Sequence, residues 1–139
     1  MMEFGEFIRQ GKVAQVRSSA PKARSLASAA EDRMRFLKSI RKTGENATYI
    51  IENAYDVIRE FAEARLAMDG YSTGSHEATV SYLQKMGFPE PEVLFIDELR
   101  KNRHKIKYYG KHMDLGYALE VLTFLDRVYG RLKELCAGL

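Results

Sequence analysis

Apolar residues recur along most of this chain at spacings of three and four, the period that lines one face of an α-helix. The clearest run is Ala47, Ile50, Ile51, Ala54, Val57, Ile58, Phe61 and Ala62. It predicts about four turns of helix, closed by Gly70. Before it, Leu26, Ala30, Met34 and Leu37 step by four, four and three, in a helix that Pro21 opens and that ends ahead of Gly44. "DGYSTGS" is a loop by composition. Ser75 then caps a short helix through "HEATVSYLQKM", with Val80, Leu83 and Met86 facing inward and Gly87 just past its end. "FPEPE" breaks the chain again. Pro91 starts the next helix with Glu92 in its first turn, and that helix runs to about Lys107, ahead of Gly110. Asp114 caps the last one, whose stripe is Leu115, Ala118, Leu119, Leu122, Leu125, Val128, Leu132 and Leu135. No stretch alternates apolar and polar residues long enough to predict a strand. The expected fold is all-α: an antiparallel bundle of four main helices plus a short one.

The first twenty residues carry only Phe4, Phe7, Ile8, Val13 and Val16. They read as an N-terminal arm or short helix (residues 1–20) outside a bundle domain spanning 21–139. No internal repeat is present. A chain of 139 residues with 45% hydrophobic and 29% charged side chains has the balance of one soluble globular domain. No apolar run reaches the ~18–20 residues that a membrane span needs, and no signal peptide stands at the start. The single Cys136 has no intramolecular partner and sits on an apolar helix, which points to a packing role in a reduced, cytoplasmic setting.

Charge alters this picture in one place. The net charge is only +3, yet Arg100, Lys101, Arg103, Lys105, Lys107 and Lys111 follow one another with no acidic residue between them. Tyr108 and Tyr109 lie in the same stretch. A charge run is usually a solvated face. Interleaved with aromatics it also suits an anionic partner, and Arg100, Lys107 and Tyr109 are candidate contacts.

One of these cations does not fit a solvated face. At about 100° per residue, Phe95 and Ile106 lie within roughly 40° of Leu99, and Ile96 within about 60°. Arg103 is also about 40° from Leu99, and Asn102 about 60° on the other side. Two polar side chains therefore share the stripe that should face the core. An unpaired buried guanidinium is costly, so Arg103 and Asn102 either line a cleft or a subunit contact, or Arg103 pairs with a carboxylate such as Glu52 or Asp56. His104 points away, about 140° from Leu99.

"RHKIKYYG", from Arg103 to Gly110, resembles the signature of the HEPN superfamily (higher eukaryotes and prokaryotes nucleotide-binding domains). That signature is an arginine and a polar residue, then a histidine after four to six intervening residues, at the end of a late helix. "IDELRKN", "NATYIIENAYDVIREFAEARL" and "DGYSTGSHEATVSYL" are similar to such sequences too, and the likeness spans Ala27 to Leu135. The resemblance implies a small all-α homodimer with the two signatures facing each other across one cleft. It implies RNA or nucleotide as ligand, and metal-independent endoribonuclease activity within a toxin–antitoxin or defence system. Arg103 would steady the charged phosphorane while a histidine moves protons. In this chain Tyr108 occupies the histidine position, and His104 follows the arginine directly. Tyr108 and His104 are thus the candidates for proton chemistry, and a phenol of pKa ~10 is a poor proton acceptor at neutral pH. A minimal nucleotidyltransferase antitoxin, able to attach AMP to a tyrosine near the signature, is the partner the resemblance implies. A non-catalytic nucleotide- or RNA-binding dimer and a protein-interaction dimer are the alternatives.

Other constellations carry little. His76, His104 and His112 lack metal-ligand spacing, and no cofactor is expected. "GYSTGS" has neither the glycine spacing nor the lysine of a P-loop. Ser75 and His76 have no visible acid partner for a triad.

Overall fold

The computed structural model describes residues 1–139. Its elements, in order, are α1 (Phe4–Arg9), β1 (Val13–Gln15), α2 (Ala20–Ser39), α3 (Ala47–Asp69), β2 (Tyr71–Thr73), α4 (His76–Lys85), α5 (Glu90–Tyr109) and α6 (Leu115–Glu134). The chain is an all-helical bundle with one minor two-stranded ribbon.

The bundle is built around α3. Ile50, Ile51, Ala54, Val57, Ile58, Phe61 and Ala62 are all sealed from solvent, because α2, α5 and α6 each cover a different side of that helix. Along α2 the buried face is Ala23, Ala27 and Ala30, then Met34 and Leu37. Three alanines in succession let the backbones approach closely, and α2 packs on α3 more intimately than any other pair. Partners run in opposite order, Ser19 to Ala67 and Phe36 to Tyr49, so α2 and α3 are antiparallel. So are α5 and α6, where Glu92 meets Arg131, Phe95 stacks on Phe124 at 4.2 Å and Asn102 meets Tyr117. In α3 and α6 the order is the same, Thr48 to Met113 and Arg65 to Leu135, and these two run parallel. No helix is long and apolar enough to cross a membrane.

The caps expected from the sequence form. The Ser75 hydroxyl accepts from the Ala78 amide at 3.1 Å, and the Asp114 carboxylate accepts from the Tyr117 amide at 2.8 Å. Gly70 ends α3 in the left-handed region at φ +82°, and a side chain there would stand 2.9 Å from the Val16 carbonyl. Both facts demand glycine.

Two details depart from the sequence reading. Short strands do occur: Val13–Gln15 pairs antiparallel with Tyr71–Thr73, and the Val16 amide donates to the Gly70 carbonyl at 2.8 Å. Three-residue strands are set by tertiary contact and have no alternation to show. On α6, Leu119 is exposed, whereas Val121 and Phe124, off the expected stripe, are buried. That helix touches both α3 and α5, so its buried face is wider than one stripe.

The N-terminal segment is packed onto the bundle. Phe4, Phe7 and Val13 form a small second core with Leu66, Ala78 and Tyr82, and the Ser81 hydroxyl donates to the Met2 carbonyl at 2.8 Å. This arrangement holds α4 in place, and α4 in turn carries one wall of the cleft described next.

Candidate functional site

At the C-terminal end of α5 a cleft of about 260 Å³ is lined by Arg100, Arg103, His104, Lys107 and Tyr108, with Gly74 and His76, just before and at the start of α4, completing the lining. No carboxylate lines it. Three cations, two imidazoles and a phenol give it a cationic lining with no countercharge among them.

Arg103 is the most buried of the cations, its side chain only 14% exposed. Ile96, Leu99 and Ile106 of the same helix are buried, and their stripe carries the guanidinium inward. Its partner is Asp56, one of the two carboxylates considered from the sequence, and the contact is long: Nη2 donates to Oδ1 at 3.5 Å. Asp56 is already engaged. Arg59 Nε donates to it at 3.2 Å, and Arg33 Nη1 approaches within 4.0 Å. Those two arginines have carboxylates of their own, Glu63 at 2.9 Å and Glu60 at 2.8 Å. Arg103 has none. Its Nε–H is buried without an acceptor, and its guanidinium lies 5.8 Å over the Tyr55 ring. A buried donor left unmade costs about 1–3 kcal/mol, so the position is poorly explained by stability.

The remaining residues divide. Arg100 donates to Asp97 at 2.8 Å and still fronts the cleft. Lys107 is exposed, with its ammonium 5.6 Å from the Tyr108 ring. The helix continues through Tyr109, two residues beyond the expected end, so Tyr108 stays one turn after His104 and their rings lie 4.5 Å apart. Asn102 and Tyr109 do not line the cleft. Asn102 donates to the Tyr117 hydroxyl at 2.8 Å, because one step along a helix turns the side chain by about 100° toward α6. Tyr109 is 77% exposed.

His76 is the residue that sequence reading missed. It opens α4 directly after the Ser75 cap, and its imidazole lies 6.1 Å from the Tyr55 ring. Burial lowers its pKa, and the charges of Arg59 and Arg103 lower it further. Burial also pushes the Tyr55 phenol well above its usual range. No signal in the chain joins position 76 to positions 100–108; only the packing of α4 against α5 does.

Elsewhere the polar residues have structural work. His112 meets the Thr48 hydroxyl at 3.3 Å. Cys136 donates to the Phe61 carbonyl at 3.8 Å, with its thiol pushed up to about 11 by burial. No three His, Cys, Asp or Glu side chains converge as a metal site. Comparisons of the chain with protein-family models, curated proteins and solved structures found no match.

Proposed function

We propose that the cleft at the end of α5 binds an RNA phosphate in the manner of the HEPN domains that the chain resembles, with Arg103 as the principal contact. The observation that carries this is the buried Arg103 guanidinium, with one long ion pair and an unmet Nε–H, at the wall of a cleft lined by cations and no carboxylate. A phosphate oxygen supplies the acceptor that Asp56 does not. Anisotropy with a labelled single-stranded RNA tests the reading. Arg103→Ala should weaken binding by about 1–3 kcal/mol, and Lys105→Ala, outside the cleft, by much less. Equal losses for both would reduce the cleft to general surface charge.

Catalysis is the further reading, favoured by the His104 and Tyr108 rings, tilted against each other at 4.5 Å beside Arg103. The reaction is attack of a 2′-hydroxyl on the adjacent phosphodiester, without metal, leaving a 2′,3′-cyclic phosphate. Cleavage should survive EDTA. Tyr108→His should raise the rate, since imidazole titrates near neutrality and phenol does not. The resemblance also implies a twofold dimer with the clefts adjoining, and the exposed Tyr108 and Tyr109 support a second copy there. Light scattering at micromolar concentration tests that. In a chain outside that dimer, the same exposure would instead leave both phenols open to AMP transfer by a nucleotidyltransferase partner.

A further inference from the structure

We propose that His76 is the proton acceptor of this cleft and His104 its proton donor, so that a single chain supplies both halves of the acid–base pair. The assignment rests on the reading of the cleft as an RNA phosphate site, and it makes good the histidine that the Arg103–Tyr108 stretch lacks.

The placement is the argument. His76 comes from α4 and His104 from α5, and both line the one cleft that holds Arg103. Transesterification needs a base at the attacking 2′-hydroxyl and an acid at the departing 5′-oxygen. Imidazole is the side chain best suited to both roles near neutral pH, and the Arg103–Tyr108 stretch supplies only one, His104. From α3, His76 is faced by Tyr55, Asp56, Arg59 and Glu63. From α5 it is faced by Arg103, and Arg100, His104, Lys107 and Tyr108 complete the lining. Partial burial, and after it the charges of Arg59 and Arg103, lower its pKa and so favour the neutral imidazole, the form that accepts a proton.

The step balances. The 2′-oxygen bonds to phosphorus and its proton passes to the His76 imidazole. The phosphorus–5′-oxygen bond breaks, and the leaving oxygen takes a proton from the His104 imidazolium. Arg103 holds the non-bridging oxygens, the products are a 2′,3′-cyclic phosphate and a 5′-hydroxyl, and water returns each histidine to its starting form.

The test is the pH dependence of cleavage of a short single-stranded RNA, joined to histidine NMR with the same RNA carrying a 2′-deoxy residue at the cut. Wild type should give a kcat/KM profile whose acid limb lies below the free-histidine value of 6.5. His76→Asn should lower kcat about 100-fold or more and remove that limb, with KM changed by less than about threefold. His104→Asn should also lower kcat but leave that limb in place. Added imidazole should restore part of the rate to His76→Gly, which separates lost chemistry from lost folding. On binding the uncuttable RNA, the His76 ring should titrate at higher pH than in the free protein. A His76→Asn enzyme that keeps its acid limb, or a His76 ring unmoved while the RNA binds, overturns the assignment and leaves the phosphate site standing. Binding without cleavage at any pH does the same. No binding of either RNA removes the functional reading and the assignment together.

Discussion

Near the N-terminal end of α5, Glu92 receives Arg131 through two hydrogen bonds, at 2.7 and 2.6 Å. Near the other end, Arg103 reaches Asp56 through one contact at 3.5 Å and leaves a buried N–H unmet. Burial runs the opposite way from satisfaction: Arg131 is 41% exposed and Arg103 only 14%. Were both arginines structural, the deeper one should be the better paired, because its desolvation is the larger. The pair at Glu92 clamps α5 to α6. The arrangement at Asp56 holds a cation at a cleft wall without saturating it, which is the contrast that the proposed phosphate site rests on.

The largest expected effect lies at the shared carboxylate. Asp56→Ala would leave Arg33, Arg59 and Arg103 clustered around a site that has lost its common anion. Breaking a mostly buried pair in this way should cost about 3 kcal/mol in urea unfolding. A loss below about 1 kcal/mol would mean that Glu60 and Glu63 hold the cluster alone, and the contrast between the two ends would weaken.

At the other end the expected loss is smaller. Glu92→Gln removes the charge from a two-pronged pair and should cost about 1 kcal/mol. Arg131 holds the Glu92 carboxyl below its ordinary 4.5, chiefly by hydrogen bonding. The folded value lies below the unfolded one, so this contribution is complete above pH ~4.5 and is lost as pH falls through the folded value. Glu92→Gln should therefore lose less melting temperature below pH ~4.5 than wild type does.

The cleft end has its own window. The folded pKa of His76 lies below 6.5, so unfolding takes up a proton there, and stability should begin to fall as pH drops past 6.5. His76→Gln should flatten that first decline and leave the one below pH ~4.5 untouched. A single acid transition with no separate step near 6.5 would refute the claim that His76 is held neutral in the fold.

Much of this arrangement is legible in the sequence, and the parts that are not share a cause. The helix from Ala47 to Asp69 follows directly from its apolar period and Gly70, and the Ser75 and Asp114 caps fall where the sequence places them. These are local signals, resolved within a turn or two of helix. The wheel also put Arg103 among core positions and offered Asp56 as one of two partners. It could not turn Asn102 toward Tyr117, since that depends on where α6 lies. Nor could it pair Val13 with Thr73 or bring His76 beside Arg103. Each of those contacts joins segments far apart in the chain, where periodicity carries no information.

The smallest expected effect is the sharpest use of the contrast. Arg103→Met keeps an unbranched stem of similar length against the Tyr55 ring and removes the unmet Nε–H. Asp56 would retain Arg59 at 3.2 Å and Arg33 within 4.0 Å, so no carboxylate is stranded. Replacing a weakly paired buried charge by an apolar side chain is often neutral or slightly favourable, and the stability change should lie within about 0.5 kcal/mol of zero. Arg131→Met should instead lose about 1 kcal/mol, because Glu92 is 15% exposed and would lose both of its hydrogen bonds. RNA binding should report the reverse order, falling with Arg103→Met and holding with Arg131→Met. If Arg103→Met cost 2 kcal/mol or more in unfolding, the guanidinium would be a structural member of the Asp56 cluster, and its unmet N–H would no longer point to a ligand.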